Sequence, residues 1–281
     1  HITRRDWYIL DFTYGQAVLI GFIQGITELF PISSLGHAIL IPAWIGGSFG
    51  EFISEENEAY LLITIAMHLA SSVALFLVFR KRWIRLISGT VQAVVSKNFQ
   101  STSFRVLSYI VIATIPVGIL GLAFGDYFQS IFGKPQYSAL FLTLNGLLLI
   151  TAERLSRRDI TAELQDSDAE IDRRVSAKTA VAIGFGQSLA LFAGISRFGV
   201  TMSAGLLRKL NHSVASDFAF LLSLPVIVGA SIIKLPELFT TSANELLGQI
   251  LLGSVISFIA TYISVTFLVR WFKTKTLYPF A

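Results

Sequence analysis

Cysteine is absent from this chain of 281 residues. Its absence excludes disulfides, thiolate nucleophiles and cysteine metal sites together. Charge is scarce as well. Asp, Glu, Lys and Arg make up 14% of the residues, where a soluble domain of this length carries roughly a quarter. The small excess of positive charge, +4, is concentrated in loops, which suits a membrane topology and argues against nucleic acid as a partner. No secretory signal is apparent ahead of the first apolar segment. Period-2 alternation is also missing, which argues against a membrane β-barrel.

What fills the chain is apolar sequence. Hydrophobic residues make up 53% of it and the mean hydropathy is +0.67. Several runs approach or exceed the roughly 20 residues that cross a bilayer as a helix. The expected class is therefore an all-α, polytopic integral membrane protein. Apolar helices are expected at about 13–30, 34–45, 59–79, 104–124, 137–153, 179–192, 198–210, 214–235 and 245–270. Of these, 59–79, 104–124, 137–153, 214–235 and 245–270 are long enough to span.

Residues 21–36, GFIQGITELFPISSLG, and 184–199, GFGQSLALFAGISRFG, superpose at a constant offset without a gap. They share Gly21/Gly184, Phe22/Phe185, Gln24/Gln187, Ile32/Ile195, Ser33/Ser196 and Gly36/Gly199. Each copy is a short apolar helix, a break, and a second helix. Broken helices at corresponding places in two halves point to a binding site at the membrane midplane. The pieces 13–30 with 34–45, and 179–192 with 198–210, therefore read as re-entrant helical hairpins. Positive charge sets the orientation. Arg80, Lys81, Arg82, Arg85, Lys97 and Arg105 mark one cytoplasmic loop, Arg154, Arg157, Arg158, Arg173, Arg174 and Lys178 a second, and Arg270, Lys273 and Lys275 a third. The acidic stretch with Glu51, Glu55, Glu56 and Glu58, and the 125–136 loop, then face outward. The hairpins open from opposite sides, which makes an inverted-topology repeat within a single membrane domain, 1–281. Repeat one covers about 13–153, a solvated connector about 154–178, and repeat two about 179–281.

The breaks carry the chemistry. Gln24 and Glu28 share a helix face, and a carboxylate inside an apolar segment is functional by default; its bland alternative is a packing hydrogen bond. Pro31 ends the first helix. Ser33 or Ser34 can cap the next one, whose free N–H groups and dipole favour an anion such as phosphate. His37 lies one turn beyond. The second break supplies Arg197, whose planar donor fork suits phosphate oxygens, with Ser196 as a cap and Thr201 one turn further in. An Arg197–Glu28 ion pair between the two tips is compatible with anion binding. His68, beside Ser71 and Ser72, reads equally as a cavity residue or as a polar helix contact. Asp217 reads as a helix N-terminal acid.

These residues resemble a known family. Gln24 to His37 is similar to the (E/Q)xxxE and P-x-S-S-x-G-H motifs of the undecaprenyl pyrophosphate phosphatases of the bacitracin-resistance type. Gly194 to Thr201 resembles the family's P-G-x-S-R-S-x-x-T motif. The resemblance implies hydrolysis of a polyprenyl pyrophosphate lipid to the monophosphate and inorganic phosphate, recycling the carrier for cell-wall polymers. It implies a multi-pass protein of the inner (plasma) membrane, with a homodimer as an allowed assembly. Glu28, Ser34, His37 and Arg197 become the catalytic candidates, and Gln24, Ser33, Ser196 and Thr201 the substrate-binding ones. A divalent cation, Mg²⁺ or Ca²⁺, is associated with the family, with Glu28 as the candidate ligand. Three departures stand out: Ala193 replaces a proline, Phe198 replaces a serine, and Gln24 leaves one carboxylate where many members have two. The chain also stops at Pro279-Phe280-Ala281, where members usually continue into one more span, so a truncated or shortened member is expected. The competing class is a transporter or flippase for a phosphorylated lipid or another anion, since inverted repeats with broken helices are typical of transporters.

Overall fold

The structure, a computed structural model, describes residues 12–52, 58–131, 134–156, 167–234, 236 and 246–281. Among the described residues every regular element is helical. In chain order they are α1 (Tyr14–Thr27), α2 (Ser34–Ile45), α3 (Gly47–Phe52), α4 (Glu58–Val95), α5 (Thr102–Ile131), α6 (Pro135–Leu155), α7 (Ser167–Arg174), α8 (Ala177–Ser188), α9 (Arg197–Leu207), α10 (His212–Lys234) and α11 (Leu247–Trp271). Five are long and apolar enough to cross a membrane: α4, α5, α6, α10 and α11. They are the five expected spans, and the protein is a multi-pass membrane protein.

Two expected loops are helical instead. Helix α4 has 38 residues, and at about 1.5 Å per residue it far exceeds a hydrocarbon core about 30 Å thick. Arg80, Lys81, Arg82 and Arg85 therefore ride on a continuing helix. No proline interrupts 80–95, and the arginines find carboxylates: Arg82 Nε and Arg85 Nη2 each lie 2.5 Å from Asp168 of α7. Asp217, expected as a helix-end acid, joins this network 3.2 Å from Arg82 Nη1. Residues 125–131 continue α5 past a kink at Phe124 (φ −127°, ψ 16°). The connector 154–178 contains α7, packed against α5 through the Arg105–Asp172 pair at 2.8 Å. Arg157, Arg158, Glu55 and Glu56 lie outside the described residues.

Side chains sort as a bilayer demands. Ile115, Ile119 and Leu122 of α5, and Leu251, Val255, Ile259 and Ile263 of α11, are exposed at helical spacing. An apolar stripe of this kind suits contact with lipid. The interior centres on Phe198, which lies 4.5 Å from Phe220 and 5.5 Å from Phe272 between ring centroids. The departure at Phe198 is thus absorbed by the core, where its ring is fully buried. Polar contacts join the spans where side chains are small: Ser71 Oγ of α4 lies 3.0 Å from Ser257 Oγ of α11, and Thr261 donates to Ser71 at 2.9 Å.

The two broken segments, α1–α2 and α8–α9, pack reciprocally. Helix α1 lies along α11, and a Cβ placed on Gly21 would sit 2.4 Å from the Gly253 carbonyl oxygen. Helix α8 lies along α5, and a Cβ on the matching Gly184 would sit 2.5 Å from the Ala113 carbonyl oxygen. The tips then meet each other. A Cβ on Gly36 would stand 3.0 Å from Gly194 Cα, and one on Gly199 would stand 3.1 Å from Pro31 Cβ. Gly36 matches Gly199 in the repeat, and Pro31 matches Gly194. Gly194 has φ +112° and faces the Ser138 carbonyl, a place closed to any side chain.

Candidate active site

Helix α1 ends at Thr27, and Glu28 occupies its C-terminal cap with a backbone bond to the Gln24 carbonyl. The carboxylate is buried, 6% exposed. Burying it without partners is prohibitive, and it has several. Oε2 accepts from Gln24 Nε2 at 2.6 Å and from Ser34 Oγ at 2.7 Å. The same oxygen lies 3.3 Å from His68 Nε2. Oε1 lies 3.5 Å from Arg197 Nη1. The expected pair Gln24–Glu28 and the expected tip-to-tip pair Arg197–Glu28 are both present.

Ser33 and Ser196 are occupied as caps. Ser33 Oγ accepts the Gly36 N–H at 3.3 Å, and Ser196 Oγ accepts the Gly199 N–H at 3.1 Å. Ser33 adopts φ +65°, an uncommon conformation for a non-glycine residue that is typical of strained functional turns. That turn places the next residue, Ser34, with its hydroxyl on Glu28. Ser196 also donates to the Phe30 carbonyl at 3.0 Å, tying the second tip to the first.

His37 is placed on the first turn of α2, but its Nδ1 is 2.8 Å from the Ser33 carbonyl, not on Glu28. Thr201 is buried, and its hydroxyl has no hydrogen bond among the described residues. Buried Nη1 of Arg197 likewise makes no hydrogen bond, only the longer approach to Glu28. A guanidinium whose donors are incompletely matched by protein acceptors is suited to an incoming anion.

Two residues matter more than the sequence indicated. His68 belongs to the cluster, while Ser71, one turn on, makes the helix-packing contact; the spacing left both roles open for this group. Asn145 of α6 was not singled out at all. It is 2% exposed. Its Nδ2 donates to the Pro31 carbonyl at 2.8 Å, and its Oδ1 accepts the Ser196 N–H at 3.0 Å. One amide thus holds both tips. The available signal was a lone carboxamide inside the apolar run FLTLNGLLLI.

The donor set was also expected to hold a divalent cation. Among the described residues no three His, Asp or Glu side chains are grouped to bind one. Glu28 is the single carboxylate here, and both its oxygens face protein cations or donors. The residues present do not fit a metal held by the protein alone.

Fold and site define a class: a multi-pass helical membrane protein in which two broken segments bring a carboxylate, a hydroxyl and a guanidinium together and helix α4 adds an imidazole. Comparison with protein families matches residues 17–281 to the family described as bacitracin resistance protein BacA. The chain belongs to that family. It is 40% identical to undecaprenyl-diphosphatase 2 of Frankia alni, over 96% of this chain and 94% of the relative. It is 41% identical to the undecaprenyl-diphosphatase of Mycolicibacterium paratuberculosis, over 96% and 93%. Undecaprenyl-diphosphatase 2 of Chromobacterium violaceum is 34% identical over 94% and 92%.

Proposed function

We propose that this protein is an undecaprenyl-diphosphatase of the bacterial plasma membrane, which hydrolyses undecaprenyl pyrophosphate to the monophosphate and inorganic phosphate. The observation that carries the reading is the Ser34 hydroxyl 2.7 Å from a buried carboxylate that is itself paired with Arg197 across the tips. Relatives named for this activity cover nearly the whole chain.

In the proposed reaction, Ser34 Oγ attacks the terminal phosphorus as its proton passes to Glu28. The bond from phosphorus to the bridging oxygen breaks, and the polyprenyl monophosphate leaves. Water then attacks the phosphoserine, Ser34 regains its proton and inorganic phosphate departs. Arg197 faces the charge that develops on the transferred group. The N-terminal turns of α2 and α9, which meet at the tips, offer their remaining backbone N–H groups to the same anion. His37, with Nδ1 donating to the Ser33 carbonyl, has Nε2 as an acceptor for the proton of the attacking water. Thr201 lends its unbonded hydroxyl to a phosphate oxygen. Mg²⁺ or Ca²⁺, where it takes part, is assigned to the substrate as a counter-ion of its phosphates.

The reciprocal packing of α1 on α11 and α8 on α5, and of the two tips on each other, supports an inverted-topology repeat with two re-entrant hairpins. Self-complementary contact between matched residues is what a two-fold relation produces. Purified protein in detergent, with and without chelator, is expected to release phosphate from the C55 pyrophosphate. Trapping labelled phosphate on Ser34 tests the covalent step, and an unlabelled serine leaves direct attack by water. No release from the parent protein returns the chain to the anion-carrier class.

A further inference from the structure

We propose that His68 is a positioning residue for Glu28, holding the carboxylate so that one oxygen faces Ser34 and the other faces Arg197; this rests on the phosphatase reading above. His68 comes from α4, outside both broken segments. Its Nδ1 lies 2.8 Å from the Thr64 carbonyl of the preceding turn, and its Nε2 lies 3.3 Å from Glu28 Oε2. Both partners are acceptors, so the ring donates through both nitrogens. The Thr64 bond fixes the ring plane and aims Nε2 at the carboxylate.

The helix-packing role that the sequence left open for His68 is already filled. Ser71 makes the bonds to α11, and Ser72 bonds the Leu69 carbonyl within its own helix. The His68 side chain is 20% exposed, against 3% for Glu28.

The need for such a residue follows from Gln24. An amide there donates one hydrogen bond to Oε2 but adds no second acid. Among the described residues Glu28 is then the only carboxylate bonded to Ser34, and its orientation matters. The last torsion of a glutamate side chain is broad, so one donor on Oε2 leaves the carboxylate plane free to turn away from Ser34. Gln24 and His68 approach the same oxygen from different helices, α1 and α4. Together they hold Oε2 where the Ser34 hydroxyl finds it at 2.7 Å.

The test compares His68→Leu, His68→Gln and Glu28→Gln in the full chain, assayed by phosphate release from C55 pyrophosphate. Thermal melting in detergent reports folding. His68→Leu is expected to lower kcat by roughly tenfold to a hundredfold, the loss that goes with one hydrogen bond to a charged group, with KM within about twofold. His68→Gln keeps an N–H donor near the position of Nε2 and is expected to recover most of that loss. A merely structural role would depress both variants alike and shift their melting. Equal losses in the two variants, or kcat within twofold of the parent in His68→Leu, would overturn the proposal. An active parent with inactive Glu28→Gln confines such a failure to His68. No phosphate release from the parent overturns the phosphatase reading itself, and a Glu28→Gln protein as active as its parent overturns the role assigned to Glu28.

Discussion

Two copies of one pattern meet at their tips, and only one of them holds a carboxylate and an imidazole. The matches that repeat are the ones that build the turn: Ser33 and Ser196 cap their helices, and Gly36 and Gly199 let the tips close on each other. The matches that differ hold the side chains to which the proposed reaction gives roles. Glu28 corresponds to Leu191, Ser34 to Arg197, and His37 to Val200. The position just after each cap therefore holds a hydroxyl in one tip and a guanidinium in the other. The two caps reach matching places by different backbones, Ser33 at φ +65° and Ser196 at φ −76°, and the proposed reaction makes one a nucleophile site and the other an anion clamp.

The sharpest way to break this contrast is to exchange acid and aliphatic roles. Glu28→Gln is expected to reduce kcat by about a thousandfold, within the span set by loss of a general base. Leu191→Gln, at the matching place in the second tip, is expected to stay within about threefold of the parent. Phosphate release measures both. Comparable losses in the two variants would mean that the second tip also handles protons.

The next contrast separates chemistry from binding at the positions after the caps. Ser34→Ala is expected to lower kcat by roughly a hundredfold or more with little change in KM. Arg197→Ala is expected to lower kcat/KM by about a hundredfold, with KM raised as well as kcat lowered. Arg197→Lys is expected to recover only part of this, because an ammonium lacks the planar fork. Steady-state kinetics decide the matter, and a pure KM effect at Ser34 would reverse the assigned roles.

Much of this pairing was legible in the sequence. Continuous apolar runs gave the five spans, and ungapped identity gave the two breaks. Gln24 and Glu28 are four residues apart on a helix, so their bond followed from geometry. Contacts between distant segments were harder to read. His68 and Asn145 act from α4 and α6, and no local period says which face of a fully apolar helix turns inward. The charged end of α4 was misread for a different reason. Arginines usually mark the end of a span, but here they pair with Asp168 and the helix runs on.

Asn145 offers a smaller effect that acts on both tips at once. Its amide bonds the Pro31 carbonyl and the Ser196 N–H, so Asn145→Leu is expected to strand two buried backbone groups at a cost of about 1–3 kcal/mol each. Activity is expected to fall because the Ser34-to-Arg197 spacing is no longer held. Ser196→Ala removes a second tie, the bond to Phe30, and the double variant is expected to lose less than the sum of the single losses. Melting in detergent and phosphate release are the two readouts. Strict additivity would mean that Asn145 and Ser196 do not secure the same junction.

The finest contrast lies at the repeated glutamine. Gln24 has a partner because Glu28 stands four residues on. Gln187 is fully buried, and neither atom of its amide has a hydrogen bond among the described residues; four residues on stands Leu191. A stranded buried amide costs about 1–3 kcal/mol, and an apolar group of similar shape removes that cost. Gln187→Leu is therefore expected to raise the melting midpoint by roughly 2–4 °C with activity unchanged. Gln24→Leu is expected to cost about tenfold in kcat, because it takes a charge-directed donor from Glu28, and to give no gain in melting. Opposite signs at matched positions would show that the second tip kept the residue after losing its partner. A lower midpoint for Gln187→Leu would mean that the amide bonds something from outside the chain, such as an ordered water or a substrate oxygen. The second tip would then take part in the chemistry through more than Arg197.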